Sequence, residues 1–130
     1  MSTLKKYKIY IYIVISLIVL MIATFVILKY NQKVFVGEKI KSSDSYLLDI
    51  KKMNKSDFHI MYLKNGDLIK INFATEKGSL NLLITDQNGE TIYEGNGKVS
   101  NEFSIKILND GNYTFLVEAK WAKGYVHISK

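Results

Sequence analysis

The stretch 110-DGNYTFLVEAKWAKGYVHIS-129 decides the fold. Tyr113, Phe115, Val117 and Ala119 alternate with Thr114, Leu116 and Glu118, and further on Val126 and Ile128 alternate with Tyr125 and His127. An apolar residue at every second position is the pattern of a strand with one buried face. Asp110 and Gly111 tolerate the positive φ angles of a tight turn, so the stretch opens on a turn and continues as two strands. Trp121 stands between the two runs.

The same period extends back to Ser45. Tyr46, Leu48 and Ile50 form one set; Phe58, Ile60 and Tyr62 a second; Ile69, Ile71 and Phe73 a third; Leu80, Leu82 and Ile84 a fourth. A short run over 91–94 follows, then Phe103, Ile105 and Ile107. With the two runs of the opening stretch, about eight short strands are expected. That number in a single domain predicts an all-β, jelly-roll-like antiparallel β-sandwich over residues 45–130. KNGD (64–67), QNGE (87–90), GNGK (95–98) and NDGN (109–112) punctuate the runs and read as turns. Asp86, Asn88 and Glu90 also admit a calcium-loop reading, but they lack the further oxygen ligands and the twelve-residue frame such a loop needs.

Several of these pieces in order resemble small sandwich domains of the emp24/GOLD type and the bacterial pre-peptidase C-terminal domain. They are GDLIKINF, GSLNLLITDQNGETIYEG, the Phe103–Ile105–Ile107 run, DGNYTFLVEA and KGYVHIS. The resemblance covers residues 57–129. It implies a binding or accessory module, because the shared pieces are fold-bearing and not catalytic.

Ahead of the β region lies IYIYIVISLIVLMIATFVIL, residues 9–28, without a charge. Twenty helical residues span about 30 Å, the hydrocarbon thickness of a bilayer. Tyr10, Tyr12 and Tyr30 sit near its ends, where amphipathic rings favour the interface. The run is longer than the apolar region of a cleaved signal, and it exits through bulky residues. The expected organisation is a cytoplasmic tail at 1–8, an uncleaved transmembrane helix at 9–29, a polar stalk at 30–44 in which Val34–Val36 either add a short strand or lie on the membrane face, and the sandwich at 45–130. The tail is short, so the C-terminal domain is expected outside a bacterial cell membrane.

All 18 basic residues are Lys, against 12 acids. Four of those Lys lie within residues 1–30, so the net +6 falls to +2 beyond them. Arg supplies the planar fork for phosphate and base edges. Its absence argues against nucleic acid as a partner. With no Cys, thiol catalysis, disulfides and cysteine zinc sites are excluded. No Gly-rich phosphate loop or His-Glu-x-x-His pattern occurs, and no catalytic set, metal or cofactor is expected.

The candidate binding residues are Trp121, Tyr125 and His127. An exposed Trp stacks on a sugar or anchors a partner. Trp121 also continues the inward series ending at Ala119, which would make it a plug at the sandwich end. Tyr125 and His127 share the opposite face and define a polar-aromatic surface or an ordinary solvated strand. The two histidines, His59 and His127, each oppose the Phe or Val of their strand and are expected in solvent. A metal site joining them with Asp57 is the minor reading. The function expected is a non-catalytic binding or accessory module held on the cell surface by one span. Its partner would be another membrane or envelope protein or a wall polymer. The alternatives are a pilin-like or envelope-assembly subunit and an immunity or inhibitor protein.

Overall fold

The computed structural model describes residues 2–99 and 101–130, which divide into two compact units, one ending at Gln32 and the other Lys33–Lys130. The first unit is a single helix, α1, Thr3–Tyr30, with no buried residue. It is long and apolar enough to cross a membrane. The helix begins before the apolar run, because no Gly or Pro interrupts the chain from Thr3 onward. Its many Ile and Val residues are poor helix formers in water. A bilayer would remove the competing hydrogen bonds to solvent and favour the helix. Thr24 Oγ1 donates to the Leu20 carbonyl at 2.9 Å, which satisfies a hydroxyl amid apolar neighbours. Lys29 lies in the last turn, where a cation suits the helix dipole.

The second unit is all-β, with seven antiparallel strands in one hydrogen-bonded sheet among the described residues. They are β1 Val34–Lys41, β2 Ser45–Asn54, β3 Ser56–Leu63, β4 Leu68–Thr85, β5 Thr91–Gly95, β6 Asn101–Lys106 and β7 Gly111–Ser129. The path runs β1-β2-β7-β4-β5, with β3 also on β7 and β6 also on β4.

Two of the strands are very long: β4 has 18 residues and β7 has 19. At about 3.3 Å per residue each would extend about 60 Å, yet a domain of about 100 residues has a radius of gyration of about 13 Å. They must bend, and the register shows where. The β4–β7 ladder slips between Thr75 and Ser79, opposite Lys120–Lys123. On the other side of β7 the ladder passes from β2 to β3 across Lys55. Trp121 itself takes φ +46°, costly for a bulky side chain. Gly78 takes φ +70°, and the carbonyls of Lys120 and Trp121 fill the space a Cβ would need. Only glycine permits that approach.

The bend changes which residues face inward. In β4 the inward set is Ile69, Ile71 and Phe73 before it and Leu80, Leu82 and Ile84 after it; in β7 it is Tyr113–Ala119 at odd positions and then Ala122, Val126 and Ile128. All of these, with Tyr46, Leu48, Ile50 and Met53 of β2 and Met61 and Leu63 of β3, form one buried cluster. Both halves of the bent strands therefore feed one core.

Three expectations change. The eight short strands become seven, because 69–73 with 80–84 and 113–119 with 125–128 are each one bent strand, and β1 is added. Most of the expected stalk is that strand: Val34–Lys41 pairs with β2 along its length, with a bulge at Val36/Gly37. The free edge of β2 carries unpaired backbone groups, and β1 satisfies them. Finally, of the expected turns KNGD, QNGE and NDGN, QNGE alone closes a hairpin, with Asp86 N–H bonded to the Glu90 carbonyl at 2.9 Å. KNGD and NDGN instead connect strands that pair elsewhere.

Candidate functional site

Tyr125 and His127 lie on the outer face of the second half of β7. Tyr125 pairs with Asp49 of β2 and Ala74 of β4, and His127 pairs with Leu47 and Asn72. The sequence expectation of an outward-facing pair holds for their position. Both are half-buried. Their rings lie 5.1 Å apart and tilted, and His127 Nε2 donates to Asp49 Oδ1 at 2.7 Å. The carboxylate fixes the ring and leaves Nδ1 for a partner. This is a small polar-aromatic surface suited to hydrogen bonding and stacking.

Trp121 sits apart from that pair, at the bend. It is half-buried and outside the core cluster, so the inward series Tyr113–Ala119 stops before it. The positive φ turns its side chain out of the alternation. Its backbone N–H donates to Asn54 Oδ1 at 3.3 Å, and Lys52 Nζ lies 5.0 Å from the ring centroid, a cation–π distance.

A polar cluster that sequence reasoning did not find joins the two edge strands β1 and β3. Asp57 accepts from Lys39 Nζ at 2.8 Å, lies 3.2 Å from Lys41 Nζ, and accepts from the Tyr46 hydroxyl. Lys41 also donates to the Phe58 carbonyl at 2.6 Å, and His59 Nε2 donates to the Ser42 carbonyl at 2.6 Å. His59 is thus not turned to solvent as expected. It packs beside Tyr46, ring centroids 5.5 Å apart. Burial acts to raise the Asp57 pKa, but the hydrogen bonds from Lys39, Tyr46 and Lys41 outweigh it and hold the carboxyl below its usual range. Burial, reinforced by the bond to Asp57 and its negative charge, pushes the Tyr46 phenol far upward. Inward-pointing charges and side-chain bonds to edge carbonyls blunt a sheet edge against pairing with another chain. The cluster acts as a latch. The available signal was the spacing of Lys39 and Lys41, which places both on one face of a strand.

The latch separates His59 and Asp57 from His127, which is bonded to Asp49. Among the described residues no three His, Cys, Asp or Glu side chains are grouped to hold a metal. A cleft of about 410 Å³ is lined by Asp86, Gln87, Asn88, Asn109, Asp110 and Tyr113. Its carboxylates serve turns: Asp86 Oδ1 accepts the N–H groups of Asn88 and Glu90, both at 2.9 Å, and Asp110 Oδ1 that of Asn65 at 2.6 Å. The Asp86–Glu90 segment is a hydrogen-bonded turn in which the aspartate side chain caps its own loop.

A second feature missed from sequence is the outer face of β3. Phe58, Ile60 and Tyr62 are 56%, 50% and 54% exposed, while Met61 and Leu63 of the same strand are buried. Phe58 pairs across the outer face with Leu116, which pairs with Leu83, so the apolar stripe continues over three strands. The alternation had set Phe58, Ile60 and Tyr62 inward and His59 outward; the structure reverses this, because Met61 and Leu63 make the other face of DFHIMYL apolar too and it is that face which meets the core.

Comparison with protein-family models and with curated proteins finds no match to this chain.

Proposed function

We propose that the chain is a single-pass, membrane-anchored, non-catalytic binding or accessory module whose β domain, a jelly-roll-like sandwich folded across the bends of β4 and β7, stands outside the cell membrane. The observation that supports this most is α1: 28 residues, apolar, with none buried. Such a surface in water would be very costly at about 25 cal/mol per Å², and a bilayer removes the cost. The likeness to the GOLD-type and pre-peptidase C-terminal domains belongs to the same reading and points to recognition.

The stripe Phe58–Ile60–Tyr62 is where a protein partner docks. Large exposed apolar residues grouped on one face, two of them aromatic, are the composition of an interface centre. The latch keeps the neighbouring edge from pairing with a foreign strand, so contact runs through side chains. The partner class is another membrane or envelope protein. The test is capture from detergent-solubilised membranes by the full chain and by a Phe58→Ser, Ile60→Ser, Tyr62→Ser variant. A partner retained by the native chain and lost with the variant is expected. Equal capture by both overturns the assignment of the face.

A further inference from the structure

The bend of the β domain collects lysines around the only Trp of the chain. Lys52 lies over the Trp121 ring. Lys120 and Lys123 flank it in β7, and Lys123 pairs with Lys77. The Lys55 carbonyl accepts the Ala119 N–H at 3.0 Å, which brings the β2–β3 junction to the same place. Against these five lysines stand Glu76, 3.4 Å from Lys123, and Glu118 further back on β7. Lys52, Lys77, Lys120 and Lys123 are all exposed. The patch is cationic with an amphipathic aromatic at its centre, the combination that favours an anionic lipid interface.

The entry of the chain supplies the second argument. Val34, the first residue of β1, pairs with Asn54, whose side chain holds the Trp121 N–H. Only residues 31–33 separate Val34 from Tyr30, the last residue of α1. Four residue steps reach at most about 14 Å. The headgroup layer on one side of a bilayer is about 5–7 Å deep. The covalent link therefore permits contact between the bend and the headgroups where α1 spans, and the charge and aromatic character of the patch supply the attraction.

We propose that the Trp121–lysine patch docks on anionic phospholipid headgroups of the leaflet from which the β domain emerges, and so fixes how the domain stands on the membrane. The inference rests on α1 as a membrane anchor. In this arrangement Trp121 sits at headgroup depth, the lysines pair with lipid phosphates, and the β3 stripe is left for its protein partner.

The full chain reconstituted into vesicles provides the test, since Trp emission reports position 121 alone. Vesicles of phosphatidylcholine are compared with vesicles containing phosphatidylglycerol, each with and without a quencher-labelled lipid of shallow depth. Quenching and a blue shift are expected only in the anionic vesicles and should weaken as salt shortens the range of the attraction. The triple change Lys52→Gln, Lys120→Gln, Lys123→Gln should reduce quenching at least about threefold, since each lysine near an anionic surface adds to the attraction. Lys106→Gln, an exposed lysine on β6 outside the patch, should leave it unchanged and serves as a control for general loss of charge. Equal quenching in neutral vesicles, none in anionic ones, or an unaffected lysine variant overturns the proposal. Flotation after an alkaline wash separates the two readings. Protein lost from the vesicles sinks the anchor, whereas protein retained without quenching sinks the headgroup contact alone.

Discussion

Asp57 shows how much a single side chain can organise. It neutralises two lysines of β1 and accepts a phenol, and its own side chain is only 11% exposed. Asp57→Ala would leave those donors without their acceptor. Removing one partner of a fully buried pair costs about 3–5 kcal/mol. Lys39 and Lys41 keep roughly a third of their side-chain surface, so screening lowers the expected loss to about 2–3 kcal/mol, measured by urea unfolding of the β unit. The pH dependence follows from the signs. The Asp57 carboxyl is depressed in the fold, so its contribution is present above the ordinary 3.8 and is lost as pH falls below it. The Tyr46 phenol is raised, so its contribution is full below the ordinary 10.0 and is lost as pH rises beyond it. Stability should plateau between about pH 4 and pH 10, and Asp57→Ala should flatten the acid limb. The facing of β3 is tested beside it. Met61→Ala should cost about 2–5 kcal/mol, whereas Phe58→Ala should cost less than about 1 kcal/mol. The reverse order would mean that β3 presents its other face to the core.

At the scale of the element, the bends in β4 and β7 set the domain's shape. Gly78→Ala should destabilise by more than about 1 kcal/mol, because its φ is positive and backbone carbonyls fill the space of the new methyl. Gly66 and Gly89 also have positive φ but nothing near the site of a Cβ, so Gly89→Ala bears only the conformational cost. A loss at Gly78 no larger than at Gly89 would show that close packing at the bend does not matter. The change of inward parity at these bends was legible from the sequence, since Ile69–Phe73 and Leu80–Ile84 fall on odd and even positions. Whether the chain crosses the change by a loop or by a continuous bent strand was not. A bulge and a short loop both consume the one or two residues that shift the period. The same ambiguity hid β1: its bulge at Val36/Gly37 and its exposed run Gly37–Lys41 break the alternation that marks the other strands.

At the scale of the molecule the β unit is defined by its own core. Residues 33–130 expressed without α1 should be soluble and fold with the circular dichroism of an all-β protein. Helical minima in that fragment would contradict the division into two units. Phe115, 1% exposed within the cluster, is the sharpest probe of that core. Phe115→Ala should cost about 3–5 kcal/mol.

Some of this was determined by sequence alone, because it depends on local periodicity. An uncharged run of 20 residues is a membrane-length helix, and alternating apolar sets separated by Asn-Gly and Asp-Gly turns are strands. These patterns also placed Tyr125 and His127 on an outer face. Tertiary structure decided whatever depends on partners distant in sequence. Strand pairing joined β3 to β7 and not to β4, which selected Met61 and Leu63 for the core over an equally apolar Phe58, Ile60 and Tyr62. The backbone twist at the bend drew Trp121 out of the inward series and set it among lysines from three strands. Apposition of the edges brought Lys39 and Lys41 to Asp57 across 16 to 18 residues of chain. Alternation fixes which side chains share a face of one strand; only the packing of whole strands fixes which of two apolar faces leaves water, and which charges then meet.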